Sequence, residues 1–74
     1  MKTQTFTAIV QKDQDSWIAL CPELDVASQG DTIEEAKANL REAVELFLEM
    51  ASPKELDQRL HTETYLSQLE VNLG

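Results

Sequence analysis

The residues best suited to nucleophilic catalysis are one thiol and one imidazole. Cys21 is the only cysteine and His61 the only histidine, and a nucleophilic thiol needs a base within hydrogen-bond reach. His61 lies forty residues after Cys21, in a polar connector. Because Leu20 and Pro22 flank Cys21, the simpler interpretation of this residue is a small buried hydrophobic group. We therefore expect no catalytic residues and no enzyme activity.

Paired carboxylates offer a second kind of chemistry, because oxygen ligands suit divalent cations. Such pairs occur at Asp13 with Asp15 and at Glu23 with Asp25. The turn propensity of aspartate explains the first pair more simply, and it lacks the ligand number and the glycine of a calcium loop. One histidine and one cysteine provide no transition-metal cluster, and two glycines in the chain form no phosphate-binding loop. We expect no metal and no cofactor.

Charge restricts the class of partner. The 74 residues carry 14 acidic and 6 basic side chains, which gives a formal net charge of −8. Nucleic-acid binding requires clustered Lys and Arg, so we expect no direct nucleic-acid binding. An acidic surface instead speeds the encounter with a basic protein. Solubility alone is the other explanation of this charge.

The first eleven residues contain no apolar run long enough for a signal peptide or a membrane span. We therefore expect no membrane contact and a cytoplasmic location, which one free thiol fits. At 74 residues the chain makes one domain, residues 1–74. A domain this small, without a disulfide or a metal, is expected to gain stability by self-association as a dimer or tetramer.

Three strands are predicted before residue 30. Residues 5–11 are rich in β-branched and aromatic types with apolar residues at period two. Residues 12–16 have the composition of a turn and 17–21 form a second apolar run, which predicts a β-hairpin. Pro22 ends the second strand, and residues 26–29 are short enough for an edge strand.

A long helix follows and begins with a clear signal. Thr32 and Glu35 have the spacing of a capping box. Apolar residues then recur by threes and fours, at Ile33, Ala36, Leu40, Val44, Phe47 and Ala51. The opposite side collects five glutamates, Glu34, Glu35, Glu42, Glu45 and Glu49. Three further apolar residues lie off the central stripe and need another cover: Leu46, Leu48 and Met50.

Residues Ser52, Pro53, Lys54 and Glu55 repeat this start signal. Pro53 ends the first helix and suits the first position of a short second helix through Leu60. The last stretch alternates, with Tyr65, Leu69, Val71 and Leu73 on one face and Gln68, Glu70 and Asn72 on the other. That pattern predicts a half-buried strand. The expected fold is therefore α+β, of order β-β-β-α-β: an antiparallel sheet of three N-terminal strands plus a C-terminal strand, packed on one long helix.

Two features each keep two interpretations. Trp17 covers the helix from the second strand as a core residue, or it meets a partner as an aromatic interface anchor. The glutamate side of the helix is a solvated face, or it is a docking surface for a basic protein. Composition alone does not separate these interpretations.

The run CPELDVASQGDTIEEAKANLREAVELFLE, with the leading strand and the DxD turn before Trp17, resembles the HicB family of antitoxin and antitoxin-like proteins. The resemblance covers about residues 5–50. Residues that stand at the family's spacing are Pro22-Glu23-Leu24, Ser28-Gln29-Gly30-Asp31-Thr32, Glu35-Ala36, Asn39 and Glu42-Ala43. It implies a partial ribonuclease-H-like fold, with the helix against an antiparallel sheet.

The resemblance also implies a function. Many family members bind and silence HicA, a small basic ribonuclease of double-stranded-RNA-binding fold that cleaves messenger RNA. We therefore expect an antitoxin-like protein that neutralises such a toxin by direct contact. The expected partner-binding residues are Trp17 as an anchor and Glu42, Glu45 and Glu49 as a mimic of the RNA polyanion. The alternative is a stand-alone, self-associating structural HicB-like domain without a toxin.

Two departures from related proteins qualify these expectations. HicB antitoxins commonly carry a C-terminal DNA-binding segment, and here Gly74 follows directly on the last predicted strand. We expect no C-terminal DNA-binding domain and no autorepression. True ribonuclease H needs carboxylates at the centre of its sheet for two-metal chemistry, whereas residues 4–11 contain no acid. We expect no nuclease activity.

Overall fold

Three short strands and two helices build the chain. The computed structural model describes residues 4–61 and 63–74. The elements are β1 (Ile9–Asp13), β2 (Ser16–Cys21), β3 (Val26–Gly30), α1 (Ile33–Met50) and α2 (Pro53–Leu60). The strands form an antiparallel sheet in the order β1-β2-β3, and α1 packs on one of its faces. This confirms the predicted α+β class and its three N-terminal antiparallel strands.

A two-residue loop closes the predicted hairpin between β1 and β2. Asp13 pairs with Ser16 across the loop, and the Ser16 hydroxyl donates to the Asp13 carbonyl oxygen at 3.3 Å. Gln14 has a φ of 59°, which is the left-handed backbone that two-residue hairpin loops require. The turn between β2 and β3 also contains a residue with left-handed backbone, Asp25, whose φ is 55°. The aspartates singled out in the sequence therefore lie in or beside turns.

The core lies between one face of the sheet and α1. Along β2, period two places Trp17, Ala19 and Cys21 on the face that packs against the helix, and the last two are buried. The helix contributes residues spaced by four, as its apolar stripe predicts. The buried hydrophobic residues are Ala19, Cys21, Leu24, Ala36, Leu40 and Val44.

Both helices begin at the predicted caps. The Thr32 hydroxyl accepts the backbone N–H of Glu35 at 3.0 Å, which confirms this half of the capping box. Ser52 accepts the N–H of Glu55 at 3.2 Å in the same way, and Pro53 occupies the first turn of α2. The short second helix through Leu60 is confirmed.

The end of β3 lies against the first turn of α1. A Cβ atom added to Gly30 would stand 2.6 Å from the backbone nitrogen of Ala36 and 2.8 Å from the carbonyl carbon of Glu35. One turn further on, the Asn39 side-chain amide donates to the Gln29 carbonyl oxygen at 2.8 Å. These two contacts fix both the distance and the rotation of α1 relative to the sheet.

A carboxylate ties the chain before β1 to the end of β2. Glu23 accepts hydrogen bonds from the backbone N–H of Thr7 at 2.9 Å and from its hydroxyl at 2.7 Å. Partial burial acts to raise the pKa of Glu23, but the hydrogen bonds from Thr7 and from the backbone outweigh it and lower the pKa below its ordinary value. The charged form of Glu23 is therefore favoured in the folded chain.

The first strand is shorter than predicted. Residues 5–11 are predicted to be extended and paired, whereas β1 spans Ile9–Asp13. Lys12 and Asp13, which are predicted to lie in the turn, therefore belong to the strand. Ile9 pairs with Leu20, and β2 ends one residue later at Cys21, before Pro22. Residues 4–8 therefore run past the last strand pair, and Phe6 packs against the core without belonging to the sheet.

The strand predicted over residues 65–73 is wrong for the single chain. Residues 63–74 form neither helix nor strand, and every one of them is exposed. Alternation of apolar residues shows which face of a strand would be buried, but a strand also needs a neighbouring edge for its N–H and C=O groups. In the described residues, the sheet contains only β1, β2 and β3.

We predict that Gly30→Ala lowers the free energy of unfolding by about 1–3 kcal/mol, the usual cost of overpacking. The new methyl group meets backbone atoms of α1, which cannot rotate away. Urea unfolding followed by circular dichroism measures the loss. Gly74→Ala is the control, because nothing lies within 4 Å of its added Cβ atom. Its φ of 120° disfavours a side chain, but Gly74 is exposed and outside the sheet and helices, so its backbone can readjust. Equal stability of Gly30→Ala and wild type would contradict the close approach.

We predict that Glu23→Gln lowers the free energy of unfolding at pH 7 by about 1–2 kcal/mol, through weaker hydrogen bonds to Thr7. Because folding lowers the pKa of Glu23, its stabilisation is complete above the ordinary value of 4.5 and is lost as the pH falls through the folded value. The difference between wild type and variant should therefore shrink below about pH 5. Unfolding curves from pH 7 to pH 3 test this, and a difference that does not change with pH contradicts it.

Candidate functional site

The structure gives the two candidate catalytic residues separate partners. Cys21 is 1 % exposed, and its thiol donates to a Glu23 carboxylate oxygen at 3.6 Å. Burial raises the pKa of Cys21, and the negative charge of Glu23 acts in the same direction. The thiol is thus held in its protonated form, which is the weaker nucleophile. His61 Nδ1 lies 2.7 Å from the Asp57 carbonyl oxygen at the end of α2.

The carboxylate pairs have structural surroundings. Asp13 ends β1 beside the first hairpin loop, and Asp15 lies in that loop. Asp25 lies in the second turn, and Glu23 holds Thr7. Across residues 4–61 and 63–74, no group of three or more His, Cys, Asp or Glu side chains is placed to hold a metal ion. Among these same residues, no helix is long and apolar enough to cross a membrane.

Trp17 lies at the start of β2 and is half-buried. It pairs with Lys12 on one side and Gly30 on the other, and its ring packs against the core. The Lys12 ammonium lies 5.7 Å from the ring centroid, within the range of a cation–π contact. The side chain thus contributes to the core while keeping part of its surface accessible. Its role as a partner-binding anchor stays a prediction.

Three predicted partner-binding glutamates form one row on α1. Glu42, Glu45 and Glu49 are all exposed, and their spacing of three and four residues places them on one side of the helix. That side is opposite the buried residues of the stripe. We call these three residues the acidic row. Their role in binding also stays a prediction.

One residue of the acidic row has a basic neighbour. Arg41 Nε lies 3.4 Å from a Glu45 carboxylate oxygen, with both side chains mostly exposed. An exposed pair of this kind contributes little to stability, about 0.3–0.5 kcal/mol on a helix. Arg41 can therefore exchange Glu45 for another carboxylate at small cost.

An apolar groove lies between α1 and the chain that precedes β1. It has a volume of about 500 Å³, and its apolar lining includes Phe6, Ala8, Val44 and Leu48. Lys37 and Arg41 lie along the same groove. We call it the β1 groove. The sequence signal that pointed to it is Leu48, an apolar residue off the central stripe, but nothing in the sequence located its other wall.

The end of α1 exposes a second apolar surface. Leu46 and Met50 are 55 % and 78 % exposed, and they border a shallow depression with Val26 and Phe47. The sequence predicted that these off-stripe residues need another cover. Within the described residues α2 leaves them largely open.

Three proteins of Synechocystis sp. are similar in sequence to this chain. UPF0150 protein ssl0738 is 49 % identical over 45 residues, covering 58 % of this chain and 62 % of its own length. UPF0150 protein ssr1258 is 41 % identical over 51 residues, covering 66 % and 74 %. UPF0150 protein ssr1765 is 46 % identical over 46 residues, covering 60 % and 58 %.

The chain thus spans less than two thirds of ssl0738 and ssr1765, and more than two thirds of ssr1258. No family model matches the chain, and no solved structure matches it at a significant level. None of the three names mentions HicB or an activity. On the extent and identity of these similarities, the chain belongs to the UPF0150 family.

Proposed function

We propose that this chain is an antitoxin-like binding protein that neutralises a small basic HicA-type mRNA-cleaving toxin by direct protein–protein contact. The acidic row on α1 is the observation that carries the proposal. It presents three exposed carboxylates on a helix that the core and the β3 contacts hold in place. The resemblance to HicB supplies the class of partner, and the net charge of −8 gives the required sign.

The acidic row can act as one charged patch. Glu42 and Glu49 are seven residues apart, which is about 10 Å along a helix axis. This length is close to the Debye length at physiological salt, about 8 Å, so the three charges add in the field that a partner meets. A ribonuclease presents cationic groups to the RNA backbone. The acidic row would occupy those groups and exclude RNA from them.

Charge supplies rate and specificity more than affinity, so slow release needs apolar contacts as well. Trp17 is the predicted anchor, and it lies beside the start of α1 through its pairing with Gly30. The acidic row occupies the second half of the helix, about 10–20 Å further along its axis. A partner that meets both would cover this distance, which a standard interface of about 800 Å² per protein accommodates.

The proposal includes the finer fold that the HicB resemblance implies. The order of three antiparallel strands and a helix is compatible with a partial ribonuclease-H-like fold, to which the C-terminal strand would be added on assembly. The strand β1 contains one acid, Asp13, at its end beside the hairpin loop. Two-metal nuclease chemistry needs carboxylates at the sheet centre, so we propose a binding protein without nuclease activity.

A second candidate function is a self-associating structural domain without a toxin. The exposed apolar residues of the C-terminal segment favour it, since surfaces of this kind mark protein contacts. A small basic protein encoded in the adjacent reading frame would favour the antitoxin function instead. Self-association is compatible with both candidates, so the presence of a toxin partner is what distinguishes them.

We predict that E42K/E45K/E49K weakens binding to the neighbouring basic toxin by about tenfold to a hundredfold, mainly through slower association. Binding is measured by surface plasmon resonance at several salt concentrations, and inhibition by an RNA-cleavage assay. The wild type should lose affinity steeply with salt, and the variant should not.

The matched control is D13K/D15K/E63K, which makes the same change in charge at exposed acids outside α1. It should retain most of the affinity. Full RNA cleavage in an excess of wild-type protein would contradict the antitoxin proposal itself. Equal effects of the two triple variants would contradict only the assignment to the acidic row. The oligomeric state of each variant is measured alongside, because Glu45 also borders the β1 groove.

A further inference from the structure

The C-terminal segment 63–74, here called the tail, has the pattern of a strand but nothing to cover it. Its large apolar side chains are 68–98 % exposed: Tyr65, Leu66, Leu69, Val71 and Leu73. Its described hydrogen bonds join residues two apart, from Tyr65 to Glu63 and from Gly74 to Asn72. So many exposed apolar groups in one short segment indicate a contact surface.

The β1 groove is a site where one more strand fits. In the described sheet β1 pairs on one side, with β2, so its other side is a free edge. Helix α1 packs mainly over β2 and β3 and only slightly over β1. The groove lies between the exposed flank of α1 and residues 4–8, which precede β1. A strand added about 4.8 Å beyond β1 and continued past Ile9 would therefore reach the groove, where Val44 and Leu48 line it.

The tail and the groove complement each other in polarity. Period two places Tyr65, Leu69, Val71 and Leu73 on one face of an extended tail, which would fill the apolar groove. The tail carries two acids and no base, while the charged residues along the groove are Lys37, Arg41 and Glu45, and the last two pair with each other. Apolar surface would thus meet apolar surface, and the excess positive charge of Lys37 is opposite in sign to the charge of the tail.

The tail extends away from the body of its own chain. The molecule measures 48 × 29 × 20 Å with a radius of gyration of 14.4 Å, whereas a compact chain of this length has about 11 Å. Twelve extended residues span up to about 40 Å, more than the second dimension of the molecule. The tail is therefore long enough to reach across a neighbouring copy.

We propose that the tail pairs with the free edge of β1 in a second copy of this chain and fills its groove, in a reciprocal twofold dimer. Exchange of an identical element is a low-cost route to such dimers. Each copy would contribute its twelve tail residues and the twelve residues that line its groove. Together these fall within the roughly 20–30 residues that each side of a standard stable interface contributes. The proposed dimer does not depend on a toxin, so the absence of a dimer would not contradict the antitoxin proposal.

The first test compares two double variants of the full chain by analytical ultracentrifugation over a concentration series. L69K/V71K changes the apolar face of the tail and should raise the dimer dissociation constant by roughly 100-fold or more. Q68K/N72K adds the same charge on the opposite face and should leave the dimer in place. All four residues are exposed in the single chain, so the fold of the monomer does not depend on them.

The second test separates exchange from folding of the tail onto its own chain. The tail variant L69K/V71K is mixed with a variant of the groove, L48K. If L48K does not fold, K37E takes its place, because Lys37 lines the same groove and is exposed. The first chain has an intact groove and the second an intact tail, so the mixture should form a heterodimer, detected by native mass spectrometry. In the first test, the proposal is overturned by a wild type that stays at the monomer mass of 8.4 kDa, by a dimer that L69K/V71K does not weaken, or by equal effects of the two double variants. In the second test, it is overturned by a mixture that forms no heterodimer.

Discussion

The contact between the end of β3 and the first turn of α1 is the constraint on which the rest of this structure depends. Gly30 leaves no room for a side chain against the backbone of Ala36, and the Asn39 amide binds the Gln29 carbonyl one turn later. A helix held at two points along its first two turns can neither slide nor rotate on the sheet. Its stripe must then face Ala19 and Cys21, and its acidic row must face away.

The same placement explains why one side of the sheet lacks a cover. Because α1 is fixed to β3, it lies over β3 and β2 and extends only slightly over β1. The flank that carries Val44 and Leu48 then stands beside the free edge of β1 and forms the β1 groove with Phe6. The acidic row and the apolar groove are thus two consequences of a single helix position, on adjacent sides of the helix.

Local signals in the sequence were sufficient for the elements and insufficient for the contacts between them. The capping residues Thr32 and Ser52, the spacing of the helix stripe and the turn aspartates act within a few residues, so the sequence alone predicts both helices and three strands. The bond between Thr7 and Glu23 joins residues sixteen apart. The close packing of Gly30 is against the backbone of helix α1, and nothing local to Gly30 in the sequence indicates it. Alternation in the tail indicates a buried face but does not specify the edge that buries it.

The groove and the acidic row meet at one ion pair. Arg41 lines the groove and also contacts Glu45 of the acidic row. Glu45 lines the groove as well, so the same two side chains border both the apolar groove and the acidic row. An exposed pair on a helix contributes little to stability, so this border does not hold α1 in place. The position of the helix comes from the contacts of its first two turns with β3, and the pair only follows from it.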